Sequence, residues 1–103
     1  MLGGSSSING LLFVRGQAQD YDHWRHLGNQ GWGWDDVLPL FKLAENWEGA
    51  EGKDRGTGGP LNVSKSRVAR DIVDAWVDAA AQAGYPRNDD YNSGSQEGVG
   101  HFQ

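Results

Sequence analysis

Leu2-Gly3-Gly4-Ser5-Ser6-Ser7-Ile8-Asn9 is the most informative stretch of this sequence. Its two glycines allow the backbone to turn and to approach a ligand closely, because neither carries a Cβ. The serines that follow offer N-cap hydroxyls and predict a short helix that starts near Ser5 to Ser7 and runs towards Val14. Free N–H groups at a helix start favour an anionic group such as a pyrophosphate. The simpler interpretation is a Gly-Ser loop that only caps a helix, and a Walker loop is excluded because no Lys follows the glycines.

The residues after this stretch extend the pattern at fixed spacing. Phe13 lies four residues after Asn9, Gly16 three residues further on, and Asp22 six residues beyond that. Together with the Leu2 to Asn9 stretch, these positions resemble the first signature of the glucose-methanol-choline (GMC) oxidoreductase family. Every position of that signature that is present in this chain matches.

The resemblance covers essentially the whole chain. Four further motifs follow the family's pattern in the same order: Asp20-Tyr21-Asp22-x-Trp24, Gly31-Trp32-x-Trp34, Gly56-x-Gly58-Gly59-Pro60-Leu61 and Ala83-Gly84-Tyr85-Pro86. Within the family, the stretch Ala83 to Gly100 is similar in particular to bacterial choline dehydrogenases.

The resemblance implies an α/β (α+β) FAD-binding fold with a Rossmann-type core in a longer protein. Residues 1–103 would form an internal part of its N-terminal FAD-binding domain, made mainly of helices and loops with one or two short strands. The activity implied is hydride transfer from the CH–OH group of an alcohol to flavin, with oxygen or a quinone as electron acceptor. The sequence holds neither the G-x-G-x-x-G fingerprint nor the family's C-terminal catalytic His. We therefore expect no catalytic residue here and no activity from the chain alone.

The resemblance also assigns a set of cofactor-binding residues to the glycine-rich stretch and to the positions that follow it. They are Leu2, Gly3, Gly4, Ser5, Ser6, Asn9, Gly10, Leu11 and Leu12. Some family members attach FAD covalently through a His at the position that is Ile8 here. Because an isoleucine cannot form that bond, we expect non-covalent FAD.

Apolar side chains at helical spacing predict three further helices, over residues 17–27, from 35 or 36 to 44, and over 68–83. The first and third are followed by a glycine that can end a helix. Pro39 is tolerated in the second because it lies near the first turn. Residues 48–60 predict a surface loop, the alternation at 61–63 predicts a short strand, and only 99–102 could begin another.

Charge and composition exclude several classes of function. The net charge of −5 and the pI of about 4.9 disfavour nucleic-acid binding, which requires a basic surface. No apolar run approaches the roughly 20 residues of a membrane span. With no Cys there is no disulfide framework and no thiolate metal site. We expect a cytoplasmic location, with attachment of the longer protein to the inner membrane surface as the alternative.

Several single residues have both a chemical and a simple interpretation. His23 and His26 are expected to be solvated, and His101 to be a surface or packing residue rather than a general base. The five Trp are expected to pack rather than to stack on bases or sugars. Asp89-Asp90 could bind a cation with Asp54 or Glu97, but a solvated turn is the simpler interpretation because EF-hand spacing is absent. We expect no metal site.

Two other functions remain open at this point. The chain could be a stand-alone acidic helical module, without catalysis, that binds a protein partner through its Trp-rich face. It could also be an enzyme in its own right, although no convergent acid, base and nucleophile set is present.

Overall fold

The computed structural model describes residues 1–68 and 70–103. Its regular elements are α1 (Ala18–His26), α2 (Trp34–Ala44), β1 (Glu45–Trp47), β2 (Leu61–Val63) and α3 (Asp71–Gln82). The strands pair in parallel, with Glu45 opposite Leu61 and Trp47 opposite Val63. Helices, loops and two short strands are the architecture that the sequence predicts for this chain, although β1 was not predicted.

Helices α1 and α2 begin with the same side-chain hydrogen bond, from an N-cap N–H to an aspartate in the first turn. The N–H of Gln17 donates to Asp20 Oδ2 at 2.8 Å before α1, and the N–H of Gly33 donates to Asp36 Oδ2 at 3.0 Å before α2. A carboxylate in the first turn satisfies a free N–H and suits the positive end of the helix dipole. The predictions for these helices are confirmed, with α2 starting at Trp34.

Pro39 lies inside α2, past its first turn, which corrects the expected position. A proline there removes one backbone hydrogen bond, which would have ended on the carbonyl of Asp35. Both Pro39 and Asp35 are exposed, so water can satisfy that carbonyl. The helix therefore continues through the proline to Ala44.

The predicted helix from Ser5 towards Val14 is wrong. Only Ser5–Ser7 form a single 3-10 turn, and the chain is irregular from there to residue 16. The side-chain oxygen of Asn9 accepts the N–H of Leu11 at 2.9 Å, and Leu11 has a φ of 55°. An Asn that bonds the backbone two residues ahead competes with helix formation, and a left-handed leucine cannot continue a right-handed helix.

The loop of residues 48–60 is a surface loop only in part. Asp54, Arg55 and Gly56 are buried against β1. Gly56 accepts the N–H of Trp47 at 2.9 Å, and the N–H of Gly59 donates to the Glu45 carbonyl at 3.0 Å. The loop therefore returns along β1 before it enters β2, which explains how two parallel strands are joined without a helix between them.

The predicted start of a strand at residues 99–102 is also wrong. Val99 forms only an isolated parallel bridge with Arg87. Gly98 and Gly100 lie against the neighbouring backbone, where a Cβ on Gly100 would be 2.0 Å from the Asn88 carbonyl oxygen. Because the backbones approach so closely on both sides of Val99, pairing is limited to this single bridge and does not extend into a strand.

The apolar core is thin. The buried apolar residues of the described chain are Val37, Trp47, Val63, Val77 and Val99. Trp34 is half-buried, so packing is confirmed for two of the tryptophans. Trp24 and Trp32 are 44% and 54% exposed and pack in part, edge to face against each other. The expectation is wrong for Trp76, which is 65% exposed. Most of the apolar stripe that predicts α3 faces outward, as the 75% exposure of Ile72 shows.

We expect Gly56→Ala to destabilise the fold by about 1–3 kcal/mol, since overpacking against fixed atoms costs this much. The new Cβ would lie 2.0 Å from the backbone oxygen of Lys42, which cannot rotate away. Gly52→Ala is the matched control in the same loop, because its nearest contact is the Arg55 side chain at 3.4 Å, an ordinary van der Waals distance. Chemical unfolding of both variants measures the difference. Equal stability of the two would contradict the close approach of the loop to α2.

Candidate functional site

An open groove of about 1150 Å³ runs along one side of the molecule. Gly10, Leu11 and Leu12 line it, and so does the exposed apolar side of α3 with Ile72, Val73 and Trp76. Phe102 and His101 line it near the end of the chain. Basic side chains also line the groove, at Lys65, Arg67 and Arg70. Apolar walls with a few polar groups are typical of a small-molecule site.

The residues predicted to bind the cofactor divide into two groups. Gly10, Leu11 and Leu12 line the groove. The other six, Leu2, Gly3, Gly4, Ser5, Ser6 and Asn9, do not line it and lie on the turn that leads to it. Every residue from 1 to 12 is exposed. We call residues 2–12 the cofactor strip.

The turn at the start of the strip presents free backbone donors. Gly3 and Gly4 have φ values of 90° and 68°, which glycine adopts at little cost. Within the described part of the chain, the N–H groups of Ser5 and Ser6 have no acceptor. A Cβ on Gly4 would meet nothing within 4 Å, so the space beside the turn is open. Exposed donors in a concave turn suit an anionic or polarised oxygen-rich group, and this donor set fits the phosphate-bearing and flavin parts of FAD.

Asn9 lies where the turn leads into the groove wall. Its Oδ1 accepts the N–H of Leu11 at 2.9 Å, and its Nδ2 has no acceptor among the described residues. The amide therefore holds Leu11 in its left-handed conformation and still has a donor for a ligand. The sequence-based expectation that Asn9 binds the cofactor is compatible with this geometry.

Behind the strip, the backbone of Phe13 to Arg15 is held by residues near the end of the chain. The side chain of Asn92 accepts the Arg15 N–H at 2.8 Å and donates to the Phe13 carbonyl at 3.1 Å. The Phe13 carbonyl also accepts the Tyr91 hydroxyl at 3.0 Å, and the Phe13 N–H donates to the Gln103 carbonyl at 2.9 Å. These contacts fix the point at which the strip leaves the body of the protein.

Beneath that point lies a buried cluster of charges. The Glu45 carboxylate is fully buried, and it lies 2.7 Å from Arg15 Nη2 and 3.0 Å from Arg55 Nη2. Its Oε2 also accepts the Gly56 N–H at 2.8 Å. The contact with Arg55 is a charge contact without a well-directed hydrogen bond. Arg55 in addition stacks over Trp47 at 3.9 Å and lies 3.2 Å from the Asp90 carboxylate.

Burial lowers the pKa of the Arg15 guanidinium below its ordinary value, and the nearby Arg55 lowers it further, whereas Glu45 raises it. The Glu45 carboxylate therefore offsets the cost of burying the two guanidiniums of Arg15 and Arg55 side by side. Sequence reasoning missed Arg15, Glu45 and Asn92 as a set, because they are far apart in the chain. Glu45 is the first residue of β1, a strand that the sequence does not predict, so it gave no local signal either.

The other single residues have simple environments. His23 and His26 are exposed, as expected. His101 is half-buried, with Nε2 3.0 Å from the Asp74 carboxylate at the edge of the groove. The solvated turn expected at Asp89-Asp90 is wrong for Asp90, which binds Arg55 and the Gln103 amide. Over residues 1–68 and 70–103, no cluster of three or more His, Asp or Glu could hold a metal ion.

No helix in the described chain has both the length and the apolar character that a membrane crossing requires.

Comparisons with known proteins agree with this architecture. A sequence profile described as GMC oxidoreductase matches residues 1–103. The chain is 50% identical over 100 residues to the oxygen-dependent choline dehydrogenase of Sinorhizobium fredii, a match that covers 97% of this chain and 18% of that protein. The corresponding protein of Brucella ovis matches with the same identity and coverage. The chain thus spans about a fifth of the length of these relatives.

Two solved structures share the fold. An FAD-dependent oxidoreductase from Chaetomium thermophilum superposes with a TM-score of 0.84 at 34% identity, over 95% of this chain and 19% of that one. Pyridoxine 4-oxidase from Mesorbium loti superposes with a TM-score of 0.84 at 32% identity, over 95% of this chain and 20% of that one. From its sequence motifs, its profile match and its structural neighbours, the chain belongs to the GMC oxidoreductase family.

Proposed function

We propose that the polypeptide containing this chain is an FAD-dependent oxidoreductase that acts on the CH–OH group of an alcohol, and that this chain supplies part of its FAD-binding surface. The observation that carries the proposal is the exposed cofactor strip, whose free N–H groups at Ser5 and Ser6 lead directly into an apolar groove. The names of the choline dehydrogenase relatives support an alcohol substrate of the choline type. The structural neighbour named as FAD-dependent supports the cofactor.

Each part of the strip has a separate task in this proposal. The N–H groups of Ser5 and Ser6 donate to oxygens of the cofactor, and the Asn9 amide donates at the flavin edge. Gly10 leaves room for close approach, while Leu11 and Leu12 exclude water from one side of the groove. Bound FAD supplies the hydride acceptor. The base that receives the hydroxyl proton lies outside residues 1–103 in this proposal.

We further propose that the cofactor is bound non-covalently, because Ile8 occupies the position at which some family members carry the attaching His. Denaturing the purified polypeptide and filtering it should release all of the flavin. Flavin that stays on the precipitated protein would contradict this. Oxygen is the electron acceptor that the names of the choline dehydrogenase relatives favour over a quinone. The cytoplasmic location stays a proposal.

The stand-alone interaction module is not favoured, because the family profile spans residues 1–103. The exposed Trp24 and Trp32 contact each other edge to face, with ring centres 5.9 Å apart. Such a pair covers part of its own apolar surface.

The expected activity can be tested in two forms of the protein. The complete polypeptide should bind FAD and reduce a dye with choline or a simple primary alcohol as donor. Residues 1–103 alone should bind FAD weakly and show no turnover, because the strip holds only part of the cofactor. Fluorescence titration measures the affinity directly. A sub-micromolar dissociation constant for the 103-residue chain, about −8 kcal/mol or better, would contradict the partial site.

A further inference from the structure

The cofactor strip makes no hydrogen bond to any described residue after Leu12, and its one bond outside residues 2–12 joins the Gly4 N–H to the adjacent Met1 carbonyl. All its hydrogen bonds are local, such as those from Ser7 to Gly4, from Asn9 to Ser5 and from Leu11 to Asn9. The first long-range bond comes at Phe13, whose N–H donates to the carbonyl of Gln103. The direction in which the strip projects is therefore set at residues 13–15.

Asn92 is the centre of that anchor. Its Oδ1 accepts the Arg15 N–H at 2.8 Å, and its Nδ2 donates both to the Phe13 carbonyl at 3.1 Å and to Gln103 Oε1 at 2.9 Å. The Asn92 side chain thus bonds the N–H of Arg15 and the carbonyl of Phe13, as the backbone of a neighbouring strand would. It is only 3% exposed, so water does not compete for these bonds.

Asn92 is itself held by the buried charge cluster. Its backbone N–H donates to Asp90 Oδ1 at 3.2 Å, and the same oxygen lies 3.2 Å from Arg55. Arg55 contacts Glu45, and Glu45 in turn forms an ion pair with the Arg15 side chain. The backbone of Arg15 and its guanidinium are thus fixed by two ends of one network. Because these contacts form a closed ring, they hold the backbone of residues 13–15 in one conformation.

We propose that Asn92 is a positioning residue for the cofactor: acting through Phe13 and Arg15, it sets the direction of the cofactor strip and so the fit of the strip to FAD. The inference rests on the proposed function. Asn92 is not one of the residues that line the groove and lies outside the cofactor-binding residues predicted from the sequence. Its effect is therefore on the geometry of Leu2 to Leu12 and not on direct contact with the ligand.

Asn92→Asp in the complete polypeptide tests this most sharply. The carboxylate keeps the acceptor for the Arg15 N–H, but it loses both donors and faces the oxygens of Phe13 and Gln103. We expect the dissociation constant for FAD to rise about tenfold or more, because a tenfold change corresponds to only about 1.4 kcal/mol of binding free energy. The visible absorption of the flavin that stays bound should also shift, because its surroundings have moved.

Asn46→Asp is the matched control. Asn46 also uses both ends of its amide, donating to Asn62 Oδ1 at 2.8 Å and accepting the Gly58 N–H at 2.9 Å. These side-chain hydrogen bonds reach β2 and the preceding loop, and not residues 13–15. Both variants should lower the melting temperature. Only Asn92→Asp should weaken FAD binding and shift the flavin spectrum at temperatures well below unfolding. Tyr91→Phe is a milder second variant, which removes one donor from the Phe13 carbonyl and should raise the dissociation constant less.

Three results would overturn the inference. The first is an Asn92→Asp protein that binds FAD as tightly as the unsubstituted one. The second is an Asn46→Asp protein with the same loss of affinity and the same spectral shift, which would make the role of Asn92 merely structural. The third, if Asn92→Asp does not fold, is an unchanged affinity in Tyr91→Phe. If the unsubstituted polypeptide binds no FAD at all, the proposed function fails first, which is a distinguishable outcome.

Discussion

Glu45→Gln should lower the free energy of unfolding by about 3–5 kcal/mol, the cost of removing one partner from a buried ion pair. The carboxylate is fully buried between Arg15 and Arg55. Without its charge, two guanidiniums would remain buried beside a neutral amide. Since domains are stable by only about 5–15 kcal/mol, we expect a large shift in the midpoint of chemical unfolding.

The chain offers a matched control for this change at Glu48. Glu48 pairs with Arg67 at 2.8 Å, but the two side chains are 45% and 78% exposed. An exposed ion pair contributes about 0–1 kcal/mol, so Glu48→Gln should change stability little. Equal losses in Glu45→Gln and Glu48→Gln would contradict the structural role assigned to the buried cluster.

Asn9→Ala should reduce flavin occupancy or turnover of the complete polypeptide by about tenfold or more. Truncation removes the acceptor of the Leu11 N–H and the free donor at the groove. Where bound FAD excludes water from the strip, a polar partner left unsatisfied would cost roughly 1–3 kcal/mol, and 1.4 kcal/mol corresponds to one decade in rate. Leu11 would also lose the bond that supports its positive φ of 55°. The flavin absorbance ratio and the steady-state rate of the purified variant measure both effects.

His23→Ala is the control for this second change, because His23 is exposed on α1, away from the strip. It should leave both flavin occupancy and turnover close to those of the unsubstituted protein. If His23→Ala proved more damaging than Asn9→Ala, the placement of the cofactor along Gly3 to Leu12 would be wrong.

The sequence was sufficient to predict those elements that depend on local spacing. Apolar side chains at helical spacing predict α1, α2 and α3, and the glycines after α1 and α3 mark where these two end. The predicted helix from Ser5 towards Val14 failed because a single hydrogen bond from the Leu11 N–H to the Asn9 side chain outweighed the N-cap signal of the serines.

What the sequence could not show are contacts between residues far apart in the chain. Arg15 and Asn92 are separated by 77 positions, and nothing local in either indicates that they meet. The burial of Asp54 and Arg55 was hidden for the same reason, since a glycine-rich polar segment is typical of a surface loop. The cofactor-binding residues of the strip were assigned by family resemblance, and their contacts with FAD stay a prediction.

Hydrogen–deuterium exchange of the complete polypeptide, with and without added FAD, tests the central claim most directly. The strip is exposed, and the N–H groups of Ser5 and Ser6 have no acceptor among the described residues, so they should exchange quickly in the apoprotein. The account predicts that FAD slows exchange over residues 2–12 and leaves the exposed helix α1 unchanged. Protection elsewhere in the polypeptide, with residues 2–12 exchanging as fast as before, would contradict it.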